Sequence, residues 1–135
     1  MTWYREINPI QEPFDMRLDD SGRAQVAFNI AVIKNPSDTL LEEITKILTD
    51  ASVGVANVTI FESSKKDLPV GDNAFIVITE TGGVFPEWIH NEDTPAFQRP
   101  SAQINARASS YADARTMARA AYVALVAVQN QTVIS

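Results

Sequence analysis

The sequence predicts one α+β domain, in which two helices cover a small, mixed or mainly antiparallel sheet of about four or five strands. Three observations lead to this prediction. Some segments alternate apolar and polar residues, as strands do, and two others repeat apolar residues every three or four positions, as helices do. The chain has 135 residues, which suits a single core. Residues 1–36 differ in pattern and are predicted to be an N-terminal arm or strand extension of a core at residues 37–135.

Within this extension, prolines interrupt regular structure, but residues 24–33 carry a strong strand signal. Gln25 and Asn29 fall on one face of that segment, whereas the apolar side chains fall on the other. The apolar set is Val26, Phe28, Ile30 and Val32. We therefore predict a strand here, paired at an edge of the sheet.

The following segment is predicted to be an amphipathic helix at about residues 38–51. Ser37 or Asp38 can cap its first turn. Gly54 follows its end as a residue suited to reversing the chain, and residues 57–61 are predicted to be a short strand because they are rich in β-branched side chains.

Residues 74–79 are apolar at nearly every position, which is typical of a strand covered on both faces. We predict that this strand lies in the middle of the sheet and ends at Gly82 and Gly83. Residues 84–100 contain three prolines and no usable period, so a long loop is predicted there. Loops of this length in compact domains are usually functional or ordered by a partner.

Residues 102–108 alternate cleanly and predict another strand, with Arg107 on its outer face. The second helix is predicted to begin at Ser109 or Ser110, which we interpret as caps. An alanine-rich stripe allows this helix to approach the sheet closely, and Arg115 and Arg119 lie off that stripe. Val133 and Ile134 are predicted to add a short edge strand.

The sequence contains no convincing set of residues for a catalytic, cofactor or metal site, and we predict that the protein is not an enzyme. The chain has no cysteine, and its only histidine, His90, lacks a spaced partner for a metal. The formal charge of −6 opposes tight binding to nucleic acid. Neither a membrane-spanning apolar run nor a signal-peptide pattern is present in the sequence, which predicts a protein that is neither membrane-bound nor exported.

Several large side chains in irregular segments are candidate contacts with other proteins. They would either fold back onto the domain or be covered by another chain, because exposed apolar clusters mark contact sites. The arginines would either be solvated or pair with acids of an adjacent subunit. The candidates are Trp3, Tyr4, Ile7, Phe85, Trp88, Ile89, Phe97, Arg107, Arg115 and Arg119.

The order of elements from residue 38 to residue 128 resembles the tail terminator, or tail completion, proteins of long-tailed bacteriophages, a group that includes minor capsid-like neck proteins. The resemblance includes the amphipathic first helix and the loop with Pro100 before the strand that bears Arg107. Three short motifs complete it: Val-Thr-Ile-Phe-Glu at 58–62, Ile-Thr-Glu-Thr-Gly-Gly at 78–83 and Tyr-Ala-Asp-Ala-Arg at 111–115.

This resemblance implies a virion protein, present in the host cytoplasm during assembly, that forms a hexameric ring. Such a ring caps the head-proximal end of the tail tube, ends polymerisation of the tube and docks the head-to-tail connector or stopper. Genomic DNA would pass through the lumen without specific binding. Residues 1–36 depart from the pattern, because these proteins commonly begin with the first helix. The alternatives are another neck component, such as a connector or stopper, a tail tube subunit, or a small ligand-binding α/β domain.

Overall fold

The computed structural model describes residues 2–18, 22–34, 40–54, 59–62, 74–88 and 95–133. The α+β class is confirmed, although the described residues form seven strands, two or three more than the sequence predicts. In chain order the elements are β1 Thr2–Pro9, β2 Phe14–Met16, β3 Ala24–Lys34, α1 Leu40–Asp50, β4 Ile60–Glu62, β5 Phe75–Trp88, β6 Pro95–Ala108, α2 Tyr111–Val126 and β7 Gln129–Val133.

The strands form one sheet in the order β4-β5-β6-β3-β1-β7, and β2 also pairs with β3. The β4–β5 pair is parallel, and the other pairs are antiparallel. The prediction that β3 lies at a sheet edge is wrong, because β6 pairs with one side of it and β1 and β2 pair with the other. An alternating pattern reports which face of a strand is buried, but not how many strands lie beside it.

The N-terminal segment is an integral part of the sheet. β1 lies between β3 and β7, and both Tyr4 and Ile7 are buried in the core of their own chain. The hypothesis that these two side chains contact a neighbouring subunit is therefore wrong. The side chain of Trp3, the third candidate in this segment, lies outside the described part of the chain.

The predicted long loop is largely a hairpin. β5 continues through Gly82 and Gly83 to Trp88, and β6 begins at Pro95. The register shifts between Glu80 and Gly82, where Gly82 has a φ of 99°. The glycines thus lie at an irregularity within a strand and do not end it. Phe85, Trp88 and Phe97 occupy strand positions, but their side chains, and Ile89 and His90 altogether, lie outside the described residues.

Both helices pack on one face of the sheet and build the main core with it. The small side chains of α2 that contact this core are Ala114, Ala118 and Ala121. They let the helix approach closely enough for Tyr122 to meet Phe28 edge-on, with ring centroids 5.5 Å apart. Both helices are confirmed. A C-terminal edge strand is present as β7, although it begins earlier than predicted and Ile134 lies outside the described residues. The proposed caps of α1, Ser37 and Asp38, also lie outside them.

The beginning of α2 agrees with the sequence. Ser110 is the N-cap, with extended backbone angles, and its side-chain oxygen accepts a hydrogen bond from the Asp113 amide at 3.3 Å. This bond satisfies one of the amides that the first turn of a helix leaves without a partner.

We expect Ser110→Ala to lower the free energy of unfolding by about 1 kcal/mol, as loss of an N-cap usually does. Ser109→Ala is the matched control, because Ser109 is equally exposed but precedes the cap. Urea denaturation of the two variants checks this, and equal losses would contradict the assignment of the cap.

Candidate protein interface

The sheet has a second face, on which neither helix packs within the described residues. Its side chains alternate along the strands with those of the core, and the register brings them side by side. We call this surface the open face. It comprises Gln25, Ala27, Asn29, Ala31 and Ile33 of β3, Phe75, Val77 and Thr79 of β5, and Ser101, Gln103, Asn105 and Arg107 of β6.

At one end of the open face the side chains are apolar and buried. Phe61, Phe75 and Val77 form a small buried cluster that is separate from the main core. The Phe61 and Phe75 rings meet edge-on with centroids 5.9 Å apart, and the Arg23 guanidinium lies 5.0 Å from the Phe75 ring centroid. A cation over an aromatic face is attracted by the ring quadrupole, so this end is stabilised within the chain.

The centre of the open face is a network of amides. Asn105 Nδ2 donates to Gln25 Oε1 at 3.1 Å, and Gln25 Nε2 donates to the Arg17 carbonyl at 2.9 Å. Arg107, one of the candidate contacts, donates from Nε to Asn105 Oδ1 at 3.3 Å. Because Gln25 and Asn105 are buried, these bonds satisfy polar groups that would otherwise be costly, and they hold β3 and β6 in register.

The other end of the open face contains an apolar cleft of about 370 Å³. Its polar rim includes Glu6 on β1 and Arg99 on β6. The apolar lining is Ile10, Ala31, Val32, Ile33 and Pro100. The cleft combines apolar and charged groups, as the surfaces that proteins use for association usually do.

Exposed apolar residues border this face and follow β1. Ile10 is 62% exposed, and Phe14, which lies opposite Ala27 in the sheet, is 38% exposed. Leu18 is also exposed. These residues are not among the contacts predicted from the sequence, although they recur every four residues in a segment that prolines interrupt. They are the strongest contact candidates among the described side chains.

Arg115 and Arg119 lie on the exposed side of α2 and pair with acids of the same chain. Arg115 donates to both carboxylate oxygens of Asp15, at 3.2 and 3.4 Å, and Arg119 Nη1 lies 3.9 Å from Glu12 Oε1. Intrachain pairing was neither of the two predicted alternatives. The side chains of these pairs are half or more exposed, so each pair stabilises the fold by about 0–1 kcal/mol at most.

A buried acid–phenol pair has a structural role. The Tyr4 hydroxyl donates to Glu43 Oε1 at 3.0 Å and so joins β1 to α1, while Glu43 Oε2 has no hydrogen-bond partner among the described residues. Burial, then the Glu43 charge, then the hydrogen bond raise the pKa of Tyr4 far above its usual range. Both residues are fully buried in the core, so a substrate could not reach them.

Neither a metal-binding cluster nor a membrane-spanning helix is present among the described residues. No group of three or more His, Asp or Glu side chains there is arranged to hold a metal ion. Likewise, no helix of this part of the chain is long and apolar enough to cross a membrane.

Comparisons with protein families, with curated proteins and with solved structures find no match to this chain.

Proposed function

We propose that this chain is a structural subunit of a bacteriophage tail, a terminator that forms a ring at the head-proximal end of the tail tube. The observation that carries the proposal is the open face with its apolar cleft and exposed border. Both helices cover the opposite side of the sheet, and on the open face the exposed apolar groups are concentrated at the cleft and at the border formed by Ile10 and Phe14. Such a surface suits contact with another protein.

The order of elements supports the same proposal through its resemblance to tail terminators. The small α+β domain, with its helices on one sheet, is the kind of fold that this resemblance implies. The β5–β6 hairpin shares its strands with the open face but extends past it to Trp88 and Pro95. In this proposal the far end of the hairpin supplies the second contact surface. A ring needs two different surfaces on each subunit, because head-to-tail contacts join unlike patches.

In this proposal the protein acts by binding and not by chemistry. A tube subunit presents complementary ends, so that rings stack without limit, whereas a terminator binds the tube on one side and offers a different surface on the other. The tube then stops growing, and the connector or stopper can dock. The charge of −6 lowers the affinity for DNA, which would suit a ring through which the genome passes.

Removal of the protein from an infection is the direct test. We expect tails of abnormal length, or tails that cannot join filled heads, while head assembly and DNA packaging proceed. Electron microscopy of the lysate and the yield of filled heads measure both outcomes. Normal, head-joined tails would contradict the proposal, and a failure of packaging would favour a connector instead.

The open face can be tested separately with a matched pair of variants. Ile10→Glu places a carboxylate at the border of the cleft, whereas Val123→Glu places one on the exposed side of α2. The two parent side chains are 62% and 59% exposed, so neither change should affect folding strongly.

We expect Ile10→Glu to weaken assembly by about tenfold or more, because an unpaired carboxylate would be buried at the contact. Val123→Glu should assemble as the parent does. Sedimentation velocity and the titre of head-joined particles measure the effect, with thermal melting as the folding control. Equal behaviour of the two variants would exclude the open face as the contact.

A further inference from the structure

The strand β7 forms one edge of the sheet. It pairs with β1 in antiparallel register, with Thr2 opposite Val133 and Glu6 opposite Gln129. Among the described strands, none pairs with its other side. The outer backbone groups of an edge strand are a template for pairing with a further strand.

The composition of β7 does nothing to prevent such pairing. Its five residues, Gln-Asn-Gln-Thr-Val, include no charged residue, proline or glycine. Natural proteins usually protect a sheet edge with charges, prolines, bulges or very short strands.

The other edges of the described sheet carry these protective devices. Strands β2 and β4 have only three residues each. The end of β5 that extends beyond β4 contains Gly82, Gly83 and Pro86, and its register with β6 shifts at three places. β7 is thus the longest regular edge that the described residues leave unprotected.

We propose that two copies of this chain associate through β7, with the two strands antiparallel about a twofold axis. Full overlap places Gln131 opposite the partner's Gln131 and Gln129 opposite the partner's Val133. The pairing is self-complementary, so every residue of the five-residue edge finds a counterpart. Two copies of the chain each carry a net charge of −6, so charged strands would repel each other where they meet. Because β7 has no charged residue, it avoids this repulsion and offers nothing to attract a charged partner, so a second copy is the better fit.

The proposed contact through β7 does not depend on the proposed function in a phage tail. A twofold contact joins copies in pairs, and it would add to the head-to-tail contact that closes a ring. It also involves a different surface from the open face, because β7 and the cleft are on separate strands.

Cysteine cross-linking tests the register, because the natural chain has no cysteine. Directly opposed residues of antiparallel strands have Cα atoms about 4.5–5.5 Å apart, which suits a disulfide. Gln131→Cys would place two thiols at that spacing. Gln129→Cys is the matched control, because its two thiols would lie four residues apart along the paired strands, roughly 13 Å.

We expect Gln131→Cys to form a disulfide-linked dimer at least tenfold faster than Gln129→Cys under mild oxidation, as read on non-reducing gels. Thermal melting of both reduced variants confirms that they are folded before the comparison. Equal rates in the two variants, or no dimer with Gln131→Cys, would overturn the proposal. If Ile10→Glu failed to weaken assembly, the cross-linking result for β7 would not change. The proposal about the open face and the proposal about β7 can therefore fail independently.

Discussion

Deletion of residues 1–9, which removes β1, is expected to unfold the protein and not merely to detach an arm. β1 is the strand that joins β3 to β7, and Tyr4 and Ile7 are 0% and 2% exposed in the core. Loss of one buried side chain of this size costs about 2–5 kcal/mol. Two such losses, together with two rows of strand hydrogen bonds, equal most of the roughly 5–15 kcal/mol that stabilises a domain.

Circular dichroism and urea denaturation of the truncated chain measure this effect. Arg5→Ala is the appropriate control, because Arg5 lies on the same strand but its side chain is exposed. The Arg5→Ala variant should unfold at the same urea concentration as the parent. If the truncated chain unfolded cooperatively near the parent midpoint, β1 would be a separable arm, which is one of the two alternatives that the sequence left open.

Tyr4→Phe is expected to lower the free energy of unfolding by about 1–3 kcal/mol near pH 7. The substitution removes the hydroxyl that donates to Glu43 Oε1, and Glu43 Oε2 already lacks a partner within the described part of the chain. An unsatisfied buried acceptor loses its hydration without compensation. Glu43→Gln keeps an acceptor for the Tyr4 hydroxyl, and urea denaturation should find it less destabilised than Tyr4→Phe.

The same pair should make stability depend on alkaline pH. The pKa of Tyr4 is raised in the folded state, whereas an unfolded tyrosine titrates near pH 10. Protonated Tyr4 therefore stabilises the fold fully below about pH 10, and this contribution is lost as the pH rises above that value. Tyr4→Phe lacks the titrating group and should lose less stability between about pH 10 and 11. If the free energy of unfolding fell equally with pH in the parent and in Tyr4→Phe, Tyr4 would not be the group that causes the alkaline loss of stability.

Much of the local structure could be predicted from the sequence. The caps and apolar stripes predicted both helices because a helix repeats its buried positions every three or four residues. The alternation of residues 102–108 also separated the core side chains from Asn105 and Arg107 of the open face. These features depend on neighbours in the chain, so periodicity can reveal them.

The candidate contact surface could be predicted only in part. Among the apolar side chains of irregular segments, the predicted contacts Tyr4 and Ile7 are covered by the core, whereas Ile10 and Phe14, which were not predicted, are exposed. Sequence pattern alone could not distinguish them, because exposure depends on which strand lies alongside.

By itself the sequence determined the fold class, the two helices and the two faces of the strand that bears Arg107, and it narrowed the cap of α2 to Ser109 or Ser110, of which the structure selects Ser110. Only the tertiary structure decided that β3 is an interior strand, that β1 belongs to the sheet and that β5 continues past its glycines. It also brought Asp15 to Arg115, 100 residues apart in the chain. Strand neighbours and such ion pairs arise from contacts distant in sequence, and a local pattern of side chains does not specify which distant backbone will satisfy a strand's hydrogen bonds.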